Sequence, residues 1–229
     1  AIRLFQISDF DKDANGNYTL KSTFPTQTFS KVRPGDIMYS DINGDGKITT
    51  DDETYLGPPA MPEIVYGIMG GLNYETKLGT FDFNFLIQGT GISNVMLGKE
   101  VSSPFYQSNS NVAAVAMDWW STDNPNAKYP VIFPGGGTLN NQQNSDFWLR
   151  SNAYVRLKNI ELGYTLPKVA IQFLAIKSMR LFYSGQNLFT YAPGLQGLMD
   201  PEMGADGVNS RGWVVPQQRV HSVGLTVNF

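Results

Sequence analysis

Asp41-Ile-Asn-Gly-Asp-Gly-Lys-Ile-Thr-Thr-Asp-Asp52 is the stretch of this 229-residue chain whose residue types and spacing most directly prescribe chemistry. Oxygen side chains fall at its first, third and fifth places and a glycine at its sixth, the spacing of a calcium loop of the EF-hand type. In that reading Asp41, Asn43 and Asp45 ligate through side-chain oxygens and Lys47 through its backbone carbonyl. Gly46 permits the sharp turn, Ile48 packs inward, and Thr49 contributes directly or through a water. Asp52 stands where a bidentate Glu is usual, and its shorter side chain predicts a weaker calcium site, or one suited to a smaller ion such as magnesium. The bland alternative is an Asx- and Gly-rich turn without an ion. No helix signal precedes the loop, so it reads as a loop-only staple of an exposed segment, without a catalytic role.

Other reactive chemistry is sparse. His221 is the only histidine and lies in the last strand-like segment, where a polar rim residue is expected in preference to a general base. Asp200 and Glu202 are close in sequence but have no distinguishing context. Cysteine is absent, which removes disulfides, thiol catalysis and thiolate metal sites. No nucleophile motif, phosphate loop or zinc spacing is present, so the chain does not read as an enzyme. Aromatics are frequent between 105 and 148: Phe105, Tyr106, Trp119, Trp120, Tyr129 and Trp148. Rings of this kind stack on sugars or pack on one another, and packing is the commoner role. Trp119, Trp120, Tyr129 and Trp148 are the candidates for substrate contact.

The elements that position these residues read as strands. In Arg219 to Phe229, Val223, Leu225 and Val227 alternate with polar residues, and the segment ends on an aromatic. Strict alternation makes one greasy and one wet face, as a membrane barrel strand requires. The same pattern predicts strands over about 63–75, 80–91, 152–165, 178–190 and 218–229. Ile64, Tyr66, Ile68, Leu72 and Tyr74 share one face; Phe81, Phe83, Phe85 and Ile87 alternate with Asp82, Asn84 and Gln88. Between Leu157 and Ile160 the parity switches, which predicts a bulge near Lys158-Asn159. Asp82, Asn84, Gln88, Arg156 and Arg180 are candidates for a polar interior face.

The connections alternate: short at Lys77, long over 92–151, short over Leu166 to Lys177, long over 191–216. Outer-membrane barrels have short periplasmic turns and long extracellular loops, in that alternation. A helical turn or two is expected within Leu166 to Lys177, and a short helix near Asn111 to Trp120. Charged residues are only 16% against roughly 25% in soluble proteins. The net charge of -3 without a basic run argues against nucleic acid as a partner. No run of about 18 apolar residues marks a membrane helix. Five or six strands cannot close a membrane barrel, and open edges in lipid would leave backbone groups unpaired. The expectation is therefore an all-β chain, the C-terminal sector of a large antiparallel transmembrane β-barrel with long extracellular loops. Residues 1–36 are expected to hold a barrel strand end and an extracellular loop, 37–60 the calcium loop, and 61–229 the barrel strands. The start, which has neither an initiator Met nor a signal-peptide pattern, suggests a mature or truncated piece of something longer.

Four stretches in order resemble the SusC/RagA family of TonB-dependent outer-membrane transporters of Bacteroidota. They are Arg33-Pro-Gly-Asp-Ile-Met-Tyr-Ser-Asp-Ile-Asn-Gly-Asp-Gly-Lys-Ile48, Asn124-Pro-Asn-Ala-Lys-Tyr-Pro130, Tyr154-Val-Arg-Leu-Lys-Asn-Ile-Glu-Leu-Gly-Tyr-Thr-Leu-Pro167 and Leu181-Phe-Tyr-Ser-Gly-Gln-Asn-Leu-Phe-Thr190. The resemblance runs from about Pro34 to Phe229 and implies a barrel of about 22 strands with a plugged lumen. It further implies a SusD-like surface lipoprotein as lid, energy from TonB–ExbB–ExbD, outer-membrane lipid around the wall, and oligosaccharide or peptide cargo. Trp119, Trp120, Tyr129 and Trp148 would then meet cargo or lid, and Phe229 would be the signal read by the barrel assembly machinery. The plug, TonB box and most strands are absent from this sequence and would belong to the remainder of the barrel. A secreted calcium-binding β-rich adhesin or glycan-binding module is the alternative, separable by its solubility without detergent.

Overall fold

The computed structural model describes residues 1–58, 60–98, 101–105, 112–133, 138–195, 197–202 and 215–229, without the side chains of 115 and 174. Tyr106 and the glycine run 135–137 lie outside the described residues. Two compact units emerge: residues 1–61 with 94–150, and residues 62–93 with 151–202 and 215–229. Six short strands come first: β1 (Arg3–Leu4), β2 (Phe10–Lys12), β3 (Tyr18–Leu20), β4 (Thr26–Gln27), β5 (Ile37–Met38) and β6 (Lys47–Ile48). The long strands are β7 (Ile64–Thr76) and β8 (Gly79–Gly91), then, after the three-residue β9 (Asn94–Met96) and β10 (Leu149–Ser151), β11 (Tyr154–Thr165), β12 (Ser178–Tyr191) and β13 (Val220–Asn228).

In the second unit the long strands form one antiparallel sheet in the order β13-β12-β11-β8-β7. Four of them run 12 to 14 residues, enough to cross a bilayer obliquely at about 9–11 residues per crossing. The register turns alternation into two continuous faces. On one, rungs such as Leu72-Phe83-Leu162-Tyr183-Val223 and Tyr74-Phe81-Tyr164-Leu181-Leu225 run across all five strands. Leu72, Val223 and Leu225 are each more than half exposed, so protein does not cover this face. An apolar wall of that extent suits lipid. The other face carries Asp82, Asn84, Gln88, Arg156, Glu161, Arg180 and Ser184.

Two local devices keep the faces in register. Between Leu157 and Asn159 the pairing of β11 with both neighbours shifts by one residue, which is the bulge behind the parity switch. Lys77-Leu78 closes the β7–β8 hairpin in two residues: Gly79 takes φ +130, and Thr76 Oγ1 accepts from Leu78 N–H. Leu166–Lys177 holds a one-turn helix, α1 (Lys168–Ile171), and a 3-10 turn. This connection and the hairpin turn leave one end of the sheet; the connections after Gly91 and Tyr191 leave the other.

The first unit departs from a reading of its segments as loops. Residues 1–36 contain no barrel-length strand; β1 instead pairs with β5, and β2 with β3. Phe5, Phe10, Val32 and Met38 are buried together, with Tyr18, Leu20 and Phe24 packed on them. Residues 94–150 fold with this segment. Their Asn140 and Asn141 bracket Ile37, Asn140 donating to its carbonyl (2.8 Å) and Asn141 accepting from its N–H (2.9 Å). Alternation signals strands only where one face meets a uniform medium, and here two- and three-residue strands bury against a mixed core. Near Asn111 to Trp120 the chain forms a 3-10 turn over Ala114–Met117.

Candidate functional site

The Asp41–Asp52 loop is organised around its own carboxylates. Asp41 accepts from the N–H groups of Gly44 (2.6 Å) and Gly46 (2.8 Å), and both glycines take positive φ, which L side chains adopt only with strain. Asn43 accepts from Asp45 N–H and Asp45 from Lys47 N–H, each through a side-chain oxygen. Asp52 folds back over the loop, accepting from Thr49 (2.9 Å) and Ile42 (2.8 Å); these N–H groups hold its carboxyl below the usual carboxylate range. Ile48 is buried and β6 pairs in parallel with β4, so the loop is anchored where it ends. The twelfth residue is thus brought over the second and third. Among the described residues, no three His, Cys, Asp or Glu side chains converge as a metal-ligand group. Their oxygens point at backbone N–H groups, and each carboxylate keeps lone pairs free for a cation.

Burial separates the aromatic candidates. Trp148, Tyr129 and Trp120 are 1%, 4% and 5% exposed, so these three rings fill the interior of the first unit and present no surface to cargo or lid. Trp148 donates to the carbonyl of Asn141 (2.8 Å), Tyr129 to that of Val101, and Trp120 lies against Gly35 at φ +89. Trp119 alone of the four is exposed. Phe229 is exposed beyond the end of β13, itself an edge strand.

The polar face holds an ion-pair cluster that sequence spacing does not reveal. Arg156, 2% exposed, donates to Asp200 (2.8 Å) through Nη2 and to Thr190 Oγ1 (2.8 Å) through Nε, and its third nitrogen, Nη1, lies 3.2 Å from Glu202. Lys158 donates to Glu202 at 2.7 Å, and Asn152 to the carbonyl of Pro201. Asp200 also accepts from the N–H groups of Glu202 and Gln217, both at 2.9 Å. Residues 200–202 of the connection after β12 are therefore folded onto the polar face and pinned there. Further along the same face Arg180 reaches across β11 to Asp82 and Glu161. It passes over Gly163, where a Cβ would overlap the Asp82 carboxylate and the guanidinium. No local signal marks the first cluster, because its carboxylates lie 44 and 46 positions from Arg156.

One lipid-facing and one polar face, strands of membrane-crossing length, and long connections confined to one end define a wall of an outer-membrane β-barrel. No protein-family model matches the chain. It is similar to TonB-dependent receptor P26 of Formosa agariphila, 28% identical over 203 residues, covering 85% of this chain and 20% of that protein. TonB-dependent receptor P3 of the same organism is 30% identical over 174 residues, covering 74% and 16%. Among solved structures, the RagAB peptide transporter superposes with TM-score 0.57 at 21% identity, covering 86% of this chain and 20% of its own. The chain thus spans a fifth or less of the curated relatives' length. It is SusC/RagA-like in fold and similar to a region of TonB-dependent receptors, and its place is the bacterial outer membrane. The relatives it matches are receptors and a transporter, not enzymes.

Proposed function

We propose that this chain supplies wall, lumen surface and an extracellular unit to a TonB-dependent importer of oligosaccharides or peptides. The observation that carries the reading is the two-faced sheet with all its long connections at one end. Its apolar face meets lipid, its polar face lines the lumen, and the pinned connection after β12 narrows the outer mouth. In this reading a SusD-like lipoprotein closes over the extracellular end. TonB–ExbB–ExbD then drives uptake through a plug formed by other segments. The test is uptake by cells lacking the full-length gene, supplied with a labelled oligosaccharide or peptide pool as sole nutrient. Retained uptake of both pools would remove the importer reading; loss of one names the cargo class.

The same reading places calcium in the Asp41–Asp52 loop, held by Asp41, Asn43, Asp45 and Asp52 with the Lys47 carbonyl. Support comes from the positive-φ glycines and from Asp52 lying over residues 42–43. The ion would supply no chemistry beyond cross-linking an exposed segment. Calcium titration of the intact protein, followed calorimetrically, is expected to show one site that Asp45→Ala removes. A flat titration, with magnesium equally silent, would leave an ion-free turn.

A further inference from the structure

On the lipid-facing side, between the rung Leu72-Phe83-Leu162-Tyr183-Val223 and the rung Tyr74-Phe81-Tyr164-Leu181, lies a trough of about 450 Å³. Its floor is backbone, because Asp82 and Phe182 send their side chains to the opposite face and Gly163 has none. The trough crosses all five strands, four interstrand steps of about 4.8 Å, or ~19 Å.

The two walls are held apart by tethers that pull in opposite directions. Tyr164 donates its hydroxyl to the Leu78 carbonyl in the hairpin turn (2.6 Å), and Phe81 stacks on it with ring centroids 4.8 Å apart. Both rings on that wall thus lean toward the short-turn end. On the other wall the Tyr183 hydroxyl is hydrogen-bonded to His221 Nδ1 (2.8 Å), one rung toward the long-connection end. Phe83 stacks on Phe85, again one rung in that direction, at 5.7 Å. Two rings of each wall are therefore fixed, and neither pair can relax into the gap without losing a hydrogen bond or a stacked contact.

We infer that this trough is a binding site for one phospholipid acyl chain. The face is continuous with the lipid-facing wall, so hydrocarbon is the only solvent available to fill it. Its length and its apolar lining fit a long, narrow, flexible chain. It lies within the last third of β7, beside the hairpin turn; short turns are periplasmic in barrels of this class, which places it in the inner leaflet, where the chain comes from a phospholipid. A chain seated here makes contacts on three sides, against one for ordinary lipid at a smooth wall, and so resists exchange.

The full-length protein, extracted from outer membranes in mild detergent and then exchanged into a stripping detergent, is examined by native mass spectrometry. The wild type is expected to keep one phospholipid after the rest is lost. Leu162→Trp, whose indole fills the trough, should lower retention by about tenfold, equivalent to displacing roughly two buried methylenes. Tyr164→Phe with Tyr183→Phe removes both hydrogen-bonded tethers at unchanged volume and should lower it in the same direction. Ile68→Trp, two rungs outward on the same face, should leave it unchanged. No retained phospholipid in the wild type overturns the site. So does equal retention by the double Tyr variant, or loss at Ile68→Trp as large as at Leu162→Trp. If Leu162→Trp fails to assemble, the Tyr pair decides.

Discussion

Arg156 gives the sharpest test of how the polar face is organised. Replacing it by Met keeps its volume and removes a charge that is 2% exposed beside Asp200 at 5% and Glu202 at 14%. Breaking a buried pair by deleting one partner costs about 3–5 kcal/mol, because the other charge stays desolvated. Two features put this case at the lower end. Asp200 keeps the N–H groups of Glu202 and Gln217, and Glu202 keeps Lys158 at 2.7 Å. A cost of about 3 kcal/mol is roughly a hundredfold rise in the population of undocked connection, at 1.4 kcal/mol per tenfold. Hydrogen exchange of the full-length protein in nanodiscs reads this at Leu198 and Glu202, whose N–H groups are bonded to Leu195 and Asp200. Exchange there should accelerate roughly a hundredfold in Arg156→Met, with β8 and β11 unchanged. Pairing Arg156→Met with Asp200→Leu replaces the charges by apolar groups and should restore much of the protection. Exchange within threefold of wild type in the single variant would refute the pin.

Two further outcomes follow from the geometry. Gly163→Ala should push Asp82 from Arg180 and cost about 1–3 kcal/mol of barrel stability, read as a lower temperature for loss of heat-modified gel mobility; an unchanged temperature would show the bridge is dispensable. Burial raises the Asp36 carboxyl to about 6, against the pull of the Arg33 N–H and Asn141. The folded unit therefore binds that proton more tightly than the unfolded chain. This stabilisation is complete below about pH 4 and is lost as pH rises through 6, with a ceiling of roughly 3 kcal/mol. Melting followed by the fluorescence of buried Trp120 and Trp148 should fall between pH 5 and 7.5, and Asp36→Asn should flatten that slope. The carboxyl of Asp9 is pushed up by burial but held lower overall by Arg3, so it acts in the opposite sense, below that window.

Much of the sheet was legible because its information is local. Phe81, Phe83 and Phe85 declare their face within five residues, and the parity switch after Leu157 marks its own bulge. The metal-type loop is likewise written within twelve positions. What stayed hidden depends on partners far apart in sequence. Arg156 meets carboxylates 44 and 46 positions away, and nothing near Asp200 or Glu202 announces them. Asp36 and Asn141 are 105 apart, so nothing local separates the buried Trp148 and Tyr129 from a ring that meets substrate. Rings that bind and rings that pack have the same letters; only burial distinguishes them.

The one-residue slip in β11 has a consequence for how this wall can change. Before it, the even-numbered Arg156 faces the lumen; after it, the odd-numbered Glu161 does. The strand is thus two half-waves joined out of phase. Deleting Lys158 would remove the extra residue and leave an unbroken alternation, with Glu161 still toward the lumen and Leu162 toward lipid. A single-codon loss further along, with the bulge kept, would instead exchange the solvents of every residue that follows, whereas a substitution changes one side chain. The length of this strand is constrained by phase more tightly than its composition is by chemistry.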